Sequence, residues 1–541
     1  MAASAAEEES RVAQRVEFSK RTIAVNSVAA LVQPILAITV LLWLNQYLFK
    51  HISLEELAVY YVVQALIAFT PLLTMIVAGG IARFCTEAYA KGDDRRMTEI
   101  VSTMTPLCVG AGALMLAFGL GAAWFIDDLL KIAPGHEWDA RIQLGLSVLV
   151  VAIQVVYLPF GVGFKVRQKY VWENGIGLGS DLLRYGIMFA LLFGVSTRAL
   201  WVVVAAIPPQ LLSLLVKWHV SRKLVPALRF ERSAIRHELL RPLLAFQAWN
   251  VLARTATLLR TAATQPLLNE LGSSGEVVAY RLGSIVESRF FPVALSPLST
   301  VQTALVAFHA TGQKERLKRH YFRYCRYLLW AFLFVAVPFI CYRAALWSAY
   351  LHSPAYGTPE YEVCWQAGVV TALLLVKAFF VFNQPVVAQV ALAQAMNKPL
   401  TIRTFVIEMA TVLAIWATVA LGGGPIGVAL ATLIVAAILT PALHWTFGLQ
   451  LTDARSGDWM RRSVLPGLLP AAVAFPAGFL AQRLFEPSGW LEVLPHVAAV
   501  EALYVLVLFF YGFDAGERAD ARKALAAVRS RLLGTRPAAA D

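Results

Sequence analysis

Apolar residues in this chain run in long unbroken stretches, each near the ~20 residues that carry a helix across a bilayer, with short polar gaps between them. The stretches predict helices at about 24–48, 57–82, 102–125, 142–164, 172–194, 199–219, 243–267, 278–307, 326–345, 363–388, 403–421, 426–449, 464–482 and 492–512. Runs this long carry no period-two alternation, so the pattern reads as helix rather than strand. The expected fold is an all-α polytopic membrane protein with about 14 transmembrane helices. With 58% hydrophobic and 15% charged residues and a mean hydropathy of +0.63, no ordinary soluble domain fits.

The gaps alternate in charge. The basic ones hold Arg11 to Arg21, Arg83 to Arg96, Lys165 to Lys169, Arg222 to Arg241, Lys314 to Arg326, Lys398 with Arg403, Arg455 to Arg462, and Arg518 to Arg536. Together these take about 34 of the 47 Lys and Arg, against about six in the other gaps. Positive loops stay inside, so both termini are expected on the cytoplasmic face of the inner membrane. The net charge of +13 follows loop parity instead of forming one patch, which points to anionic membrane lipids as partner and away from nucleic acid. Glu7, Glu8 and Glu9 precede the first apolar stretch, which is too long for a signal core and is expected to be a retained start-transfer helix. The five cysteines show no metal spacing; Cys341 and Cys364 flank one external gap but read as small membrane-helix residues.

No external gap exceeds about sixteen residues, which leaves no room for an external catalytic domain. Gly422-Gly423-Gly424-Pro425 lacks the Lys-Ser/Thr of a phosphate-binding loop and reads as a helix–helix turn. No zinc-protease, hydrolase-elbow or clustered-His motif occurs. The expectation is a non-enzyme with no cofactor and no metal site.

Two basic gaps repeat. Ala90-Lys91-Gly92-Asp93-Asp94-Arg95-Arg96-Met97 and Ala310-Thr311-Gly312-Gln313-Lys314-Glu315-Arg316-Leu317 share Ala-x-Gly-x-x-x-Arg plus an apolar residue, 220 positions and six spans apart. A fainter echo links Lys169-Tyr170-Val171 to Lys398-Pro399-Leu400. A six-span offset preserves orientation, so two six-helix bundles related by a parallel pseudo-two-fold are expected, plus two C-terminal helices. The corresponding organisation is a cytoplasmic tail (1–21), an N-terminal bundle (22–220), a basic cytoplasmic linker (221–241), a C-terminal bundle (242–449), helices 13 and 14 (450–512) and a cytoplasmic tail (513–541). Duplicated bundles of this kind build transporters.

A charge within the bilayer costs several kcal/mol unless it meets a partner or a wet cavity, so each one is a functional candidate. The bases are Arg184, Arg254, Arg260, Arg281, Arg289 and Lys377; the acids are Glu173, Asp181, Glu287, Glu408 and Glu501. Asp181 and Arg184 are three apart on one helical face and are expected to neutralise each other. Gln247, Asn250, Arg254 and Thr261 form a polar stripe along span seven, with Arg260 facing elsewhere beside Thr257 and Thr264. Antiparallel packing of spans seven and eight sets Arg254 at the depth of Glu287 and Arg289. Glu287 is thus expected to hold Arg254 or Arg289, leaving one or two cations over. Glu408 has Arg403 five residues before it and no i+4 base, which makes it, with Glu287, a candidate for proton coupling. Unpaired arginines in a cavity call for an anionic cargo, and the guanidinium fork suits phosphate. The anion-binding candidates are therefore Arg254, Arg260, Arg289, Arg281, Asn250 and Lys377, with Glu287, Glu408, Asp181 and Arg184 as ion-pair or coupling residues.

Four motifs also carry a family likeness: Ala310-x-Gly312-x-x-x-Arg316-Leu317, Gln394-Ala395-Met396-Asn397-Lys398-Pro399, Gly424-Pro425-x-Gly427-x-Ala429-x-Ala431, and Leu271-Gly272 followed by Ala279-Tyr280-Arg281. By these the chain, over about residues 20–512, resembles the polysaccharide-export (Wzx-like) branch of the multidrug/oligosaccharidyl-lipid/polysaccharide exporter superfamily. The resemblance implies two six-helix bundles around a central cavity. It also implies a flippase that moves an undecaprenyl-pyrophosphate-linked oligosaccharide to the outer leaflet for surface polysaccharide synthesis, with a glycan polymerase and a chain-length regulator as partners. Members often have an acid in span seven just before the external turn; Thr261-Ala262-Ala263-Thr264-Gln265-Pro266 has none. A lipid II flippase and a cation-coupled drug exporter are the alternatives within the superfamily, and a membrane glycan polymerase or ligase is the enzyme alternative. The topology is testable by thiol labelling. Cysteines at Asp93 and Gln313 should label only from the cytoplasm, and at Gly135 and Ala355 only from outside; external labelling at 313 would contradict the duplicated arrangement.

Overall fold

The computed structural model describes residues 20–67, 81, 84–89, 91–132, 134–167, 169–240, 248–295, 305, 308–309, 312–352, 354–394, 396–514 and 516–519. The tails 1–19 and 520–541, Gln247, the motif residues Ala90, Ala310, Thr311 and Ala395, and the side chains of Asn250 and Arg254 lie outside this set. The described chain is all helical, with no strand. In order it forms α1 (Lys20–His51), α2 (Leu54–Ile67), α3 (Asp94–Trp124), α4 (Glu137–Tyr157), α5 (Tyr170–Gly194), α6 (Ile207–Leu224), α7 (Ala248–Leu271), α8 (Ser274–Gly283) and α9 (Ile285–Leu295). There follow α10 (Lys314–Cys341), α11 (Arg343–Tyr350), α12 (Pro359–Val381), α13 (Gln384–Ala393), α14 (Asn397–Ala420), α15 (Gly424–Thr440), α16 (Leu465–Phe485) and α17 (Trp490–Val507), with short single turns between.

Ten helical stretches among the described residues are long and apolar enough to cross a membrane. They coincide with the expected spans three to six and nine to fourteen. The other four expected spans fall on α1, on α2 with the residues beyond it, on α7, and on α8 and α9. Span eight is not continuous: α8 ends at Gly283 and α9 begins at Ile285. All five cysteines are buried free thiols.

The chain divides into two compact units, residues 1–282 with 404–425, and residues 283–403 with 426–541. The breaks therefore fall within the expected span eight, within α14 and in the first turn of α15, and the basic segment 221–241 lies inside the first unit. That segment is no free linker. In the first unit Thr98 Oγ1 donates to Ala227 O at 2.9 Å, Glu231 N to Ser102 Oγ at 2.9 Å and Arg236 N to Thr103 Oγ1 at 2.9 Å. These bonds lay residues 227–236 along α3, above a core of Met97, Ile100, Val101 and Met104 packed on Val155 and Val162. In the second unit the core gathers Tyr321, Phe322, Cys325, Phe382, Phe447 and Trp459, and α10 packs against α12 and α16.

The described residues of the repeated basic loops share their backbone features. Gly92 (φ 71°) and Gly312 (φ 68°) both occupy the left-handed region that favours glycine. Asp93 N bonds Ala88 O and Gln313 N bonds Phe308 O, each at 2.9 Å; Gly92 N bonds Tyr89 O and Gly312 N bonds His309 O, each at 3.0 Å. Each loop then starts a long helix, α3 in the first unit and α10 in the second, so the sequence echo is also a backbone echo.

Gly283 fixes the start of α9. A Cβ there would lie 2.7 Å from Val370 Cβ and 2.8 Å from Ala367 O, so α12 passes in near-contact. Thr371 Oγ1 donates to Gly283 O at 2.9 Å, and Trp347 Nε1 donates to Thr371 Oγ1 at 3.0 Å. Gly283→Ala should destabilise the purified protein by about 1–3 kcal/mol, the usual cost of overpacking. Gly175→Ala, in open space on α5, should leave the melting temperature unchanged or raise it.

Candidate functional site

Within the first unit, the polar positions of α7 meet α14. Thr257 and Arg260 are three apart and project together. Arg260 Nε donates to Glu408 Oε2 at 2.6 Å, and Thr257 Oγ1 donates to Glu408 Oε1 at 3.2 Å. The Arg260 and Glu408 side chains are 22% and 16% exposed, respectively. Thr264 Oγ1 donates back to Arg260 O at 2.7 Å, and Thr261 Oγ1 to Thr257 O at 2.9 Å. The hydroxyls satisfy backbone carbonyls in a helix too polar to stand among the ten apolar spans. Glu408 thus has its base on another helix. Arg403, five residues before Glu408 in sequence, donates to Pro399 O at 3.2 Å and stacks its guanidinium 4.1 Å from the Phe447 ring centroid.

Within the second unit the counterpart is Lys377 of α12, whose Nζ lies 2.5 Å from Glu287 Oε1 of α9. Lys377 is buried, with a side chain only 9% exposed. This corrects the expected partnership of Glu287 with Arg254 or Arg289. The contact of Gly283 with α12 draws the first turn of α9 against α12, and Glu287, one turn on, meets Lys377. Arg289, two residues further, is exposed on α9.

The other candidates are placed as follows. Arg281 of α8 lies 5.8 Å from the ring centroid of buried Tyr61. Tyr61 OH donates to Asn45 Oδ1 at 2.7 Å, and Asn45 Nδ2 donates to Leu41 O at 2.9 Å. This chain of contacts, from α8 through α2 to α1, was not anticipated; Asn45, an amide side chain within the apolar run of α1, was its signal. Asp181 and Arg184 share α5, and Arg184 Nε is buried without a hydrogen-bond partner among the described residues. Asn250 and Arg254 lie on α7, their side chains outside the described set. Also unanticipated is Asp139, 5% exposed, whose two carboxylate oxygens accept from Arg198 at 2.8 and 2.7 Å. No group of three or more metal-ligating side chains occurs among the described residues.

Within each unit a cation of the expected spans is thus held by a carboxylate from another helix, Arg260 by Glu408 and Lys377 by Glu287. Such a pair costs little while intact and much when one side is lost, because the remaining charge has no water to turn to.

No family model matches the chain. It is 21% identical over 306 residues to an uncharacterised membrane protein, EpsK, of Bacillus subtilis (strain 168), covering 55% of this chain and 59% of that protein, so the match spans less than two thirds of that relative. Among solved structures, the lipid II flippase MurJ in an inward closed conformation is similar with a TM-score of 0.63 at 13% identity, covering 90% of this chain and 99% of that one. An inward-facing multidrug resistance MATE family transporter of the MOP superfamily gives a TM-score of 0.62 at 12% identity, over 79% and 98% of the two chains. These likenesses define the fold. The chain is a multi-pass membrane protein with the all-helical fold of MurJ and MATE transporters.

The Lys377–Glu287 pair is separable by stability. Lys377→Met alone should destabilise by about 3–5 kcal/mol, the cost of leaving one buried charge unpaired. Adding Glu287→Gln should recover most of that loss, read as the melting temperature of detergent-purified protein. Equal melting of all three proteins would contradict burial of the pair.

Proposed function

We propose that this protein is a flippase, an alternating-access transporter that moves an undecaprenyl-pyrophosphate-linked oligosaccharide across the cytoplasmic membrane for surface polysaccharide synthesis, and that it is not an enzyme. The observation that carries the reading is the Arg260–Glu408 pair: a guanidinium kept ready among membrane helices by a carboxylate that an anionic cargo can replace. The MurJ and MATE fold supports transport as the class of activity. The doubled loop conformation supports the parallel six-plus-six arrangement. Charge asymmetry supports a cytoplasmic position for both termini and the basic loops.

In this reading Glu408 neutralises Arg260 while cargo is absent. The diphosphate enters, accepts from the guanidinium, and Glu408 gives up its partner. One fixed charge cannot offset the desolvation of a diphosphate, so a second cation joins from Arg254 or Arg281 of the same unit. Protonation of Glu408 would release Arg260 in the same way, which makes Glu408 the coupling acid if a proton gradient drives the cycle. Lys377, held by Glu287, is the corresponding reserve cation of the second unit. A glycan polymerase and a chain-length regulator are the partners expected downstream.

A lipid II flippase is the second reading, favoured by the likeness to MurJ over 90% of the chain. Complementation in a glycan-export strain and in a lipid II-flippase-depleted strain separates the two cargoes. In whichever strain is rescued, Arg254→Ala with Arg260→Ala should reduce export about tenfold or more at unchanged membrane insertion. Arg260→Lys should substitute poorly, since an ammonium lacks the bidentate fork. Glu408→Gln should make transport insensitive to the proton gradient. Normal export by the double arginine variant would make these arginines structural.

A further inference from the structure

A second concentration of cations lies within the second unit, on residues other than those of the Lys377–Glu287 pair. Arg316, Arg319, Arg323 and Arg326 follow one another at i, i+3, i+7 and i+10 and so share one face of α10. Arg461 and Arg462 stand opposite, in the π-helical turn Met460–Val464 that leads into α16. These six arginines line an open cavity of about 800 Å³.

The inner part of the cavity is already organised. Glu517, with a side chain only 3% exposed, accepts from Arg326 at 2.5 Å, from Arg323 at 3.1 Å and from Tyr327 OH at 2.7 Å. Asp514 approaches Arg326 at 3.8 Å. The two carboxylates answer two of the six charges. Arg316 and Arg319 donate only to neutral oxygens, of Gln313 and Glu315. Arg461 and Arg462 have no side-chain ion pair among the described residues. Four like charges around one cavity repel one another unless an anion enters. Residues 520–541 add to the positive excess, with five Lys and Arg against two Asp.

The surroundings point to a lipid anion. Phe308, Phe322 and Pro466 form an apolar part of the wall. Leu465 and Leu469, one turn apart on α16 beside Arg462, expose 56% and 38% of their surface. An acyl or prenyl chain can lie along that face while its phosphates sit among the arginines.

We propose that this cavity binds paired phosphate groups carried on a membrane lipid, the outer four arginines sharing the two phosphates while Glu517 holds Arg323 and Arg326 in place. The inference is independent of the transport reading, because none of these residues belongs to the intramembrane pairs. The full chain in neutral phosphatidylcholine nanodiscs provides the test, with bound lipid counted by native mass spectrometry. Cardiolipin and a polyprenyl diphosphate are offered separately, to distinguish a resident lipid from a cargo lipid. Phosphatidylglycerol at matched charge and inorganic pyrophosphate are the comparison ligands. Retention of either diphosphorylated lipid is expected, with R461Q/R462Q and R316Q/R319Q each weakening it about tenfold or more. R222Q/K223Q, which removes two charges from a different surface, should leave it unchanged. The proposal is overturned if neither lipid is retained, or if phosphatidylglycerol or pyrophosphate binds as well. It is also overturned if folded R461Q/R462Q and R316Q/R319Q bind normally, or if the control pair loses as much.

Discussion

A charge that leaves water for the interior of a membrane protein must find its counter-charge inside the protein, and this requirement arranges the sheltered polar residues seen here. Arg260 is answered by Glu408 within the first unit and Lys377 by Glu287 within the second. Arg281 is met by the face of Tyr61, and Arg323 with Arg326 by Glu517. In each case the partner comes from another helix. Charge neutralisation is thereby also tertiary packing, and the helices that carry it are tied in specific register.

The backbone serves that arrangement at few, identifiable points. Gly283 lets α9 begin against α12, and Thr371 and Trp347 hold it there, which is what places Glu287 before Lys377. Thr98, Ser102 and Thr103 bind the segment 227–236 to α3, turning a basic stretch that resembles a linker into part of the first unit. Gly92 and Gly312 terminate two loops in the same left-handed conformation, one in each unit, before a long helix. These are local devices, and each depends on one side chain or on the lack of one.

Much of this was legible in the sequence, and the limits have physical causes. Ten of the expected spans stand out because a run of ~20 apolar residues has few alternatives to a membrane helix. Spans seven and eight are harder to read: α7 is polar along one side, and α8 and α9 are separated at a glycine whose meaning depends on α12. The candidate residues were legible as charges in apolar runs, but the partners they meet were not. Spacing along one helix predicts i, i+3 and i, i+4 neighbours, whereas Glu408 and Lys377 are paired from helices nearly 100 residues or more distant. The arginine cavity was visible only as two basic gaps; that Glu517 organises its inner end follows from packing alone.

The central claim is that a sheltered arginine is kept by a carboxylate and surrendered to an anionic cargo. Exchanging the pair tests this most directly: Arg260→Glu combined with Glu408→Arg, reconstituted in proteoliposomes with a polyprenyl-diphosphate-linked saccharide. The account predicts that the exchanged protein inserts and melts close to the parent, because the pair re-forms, yet translocates at a small fraction of the parent rate, because the guanidinium now projects from α14 instead of α7. Translocation at the parent rate would contradict it and would leave Arg260 and Glu408 as a structural clasp.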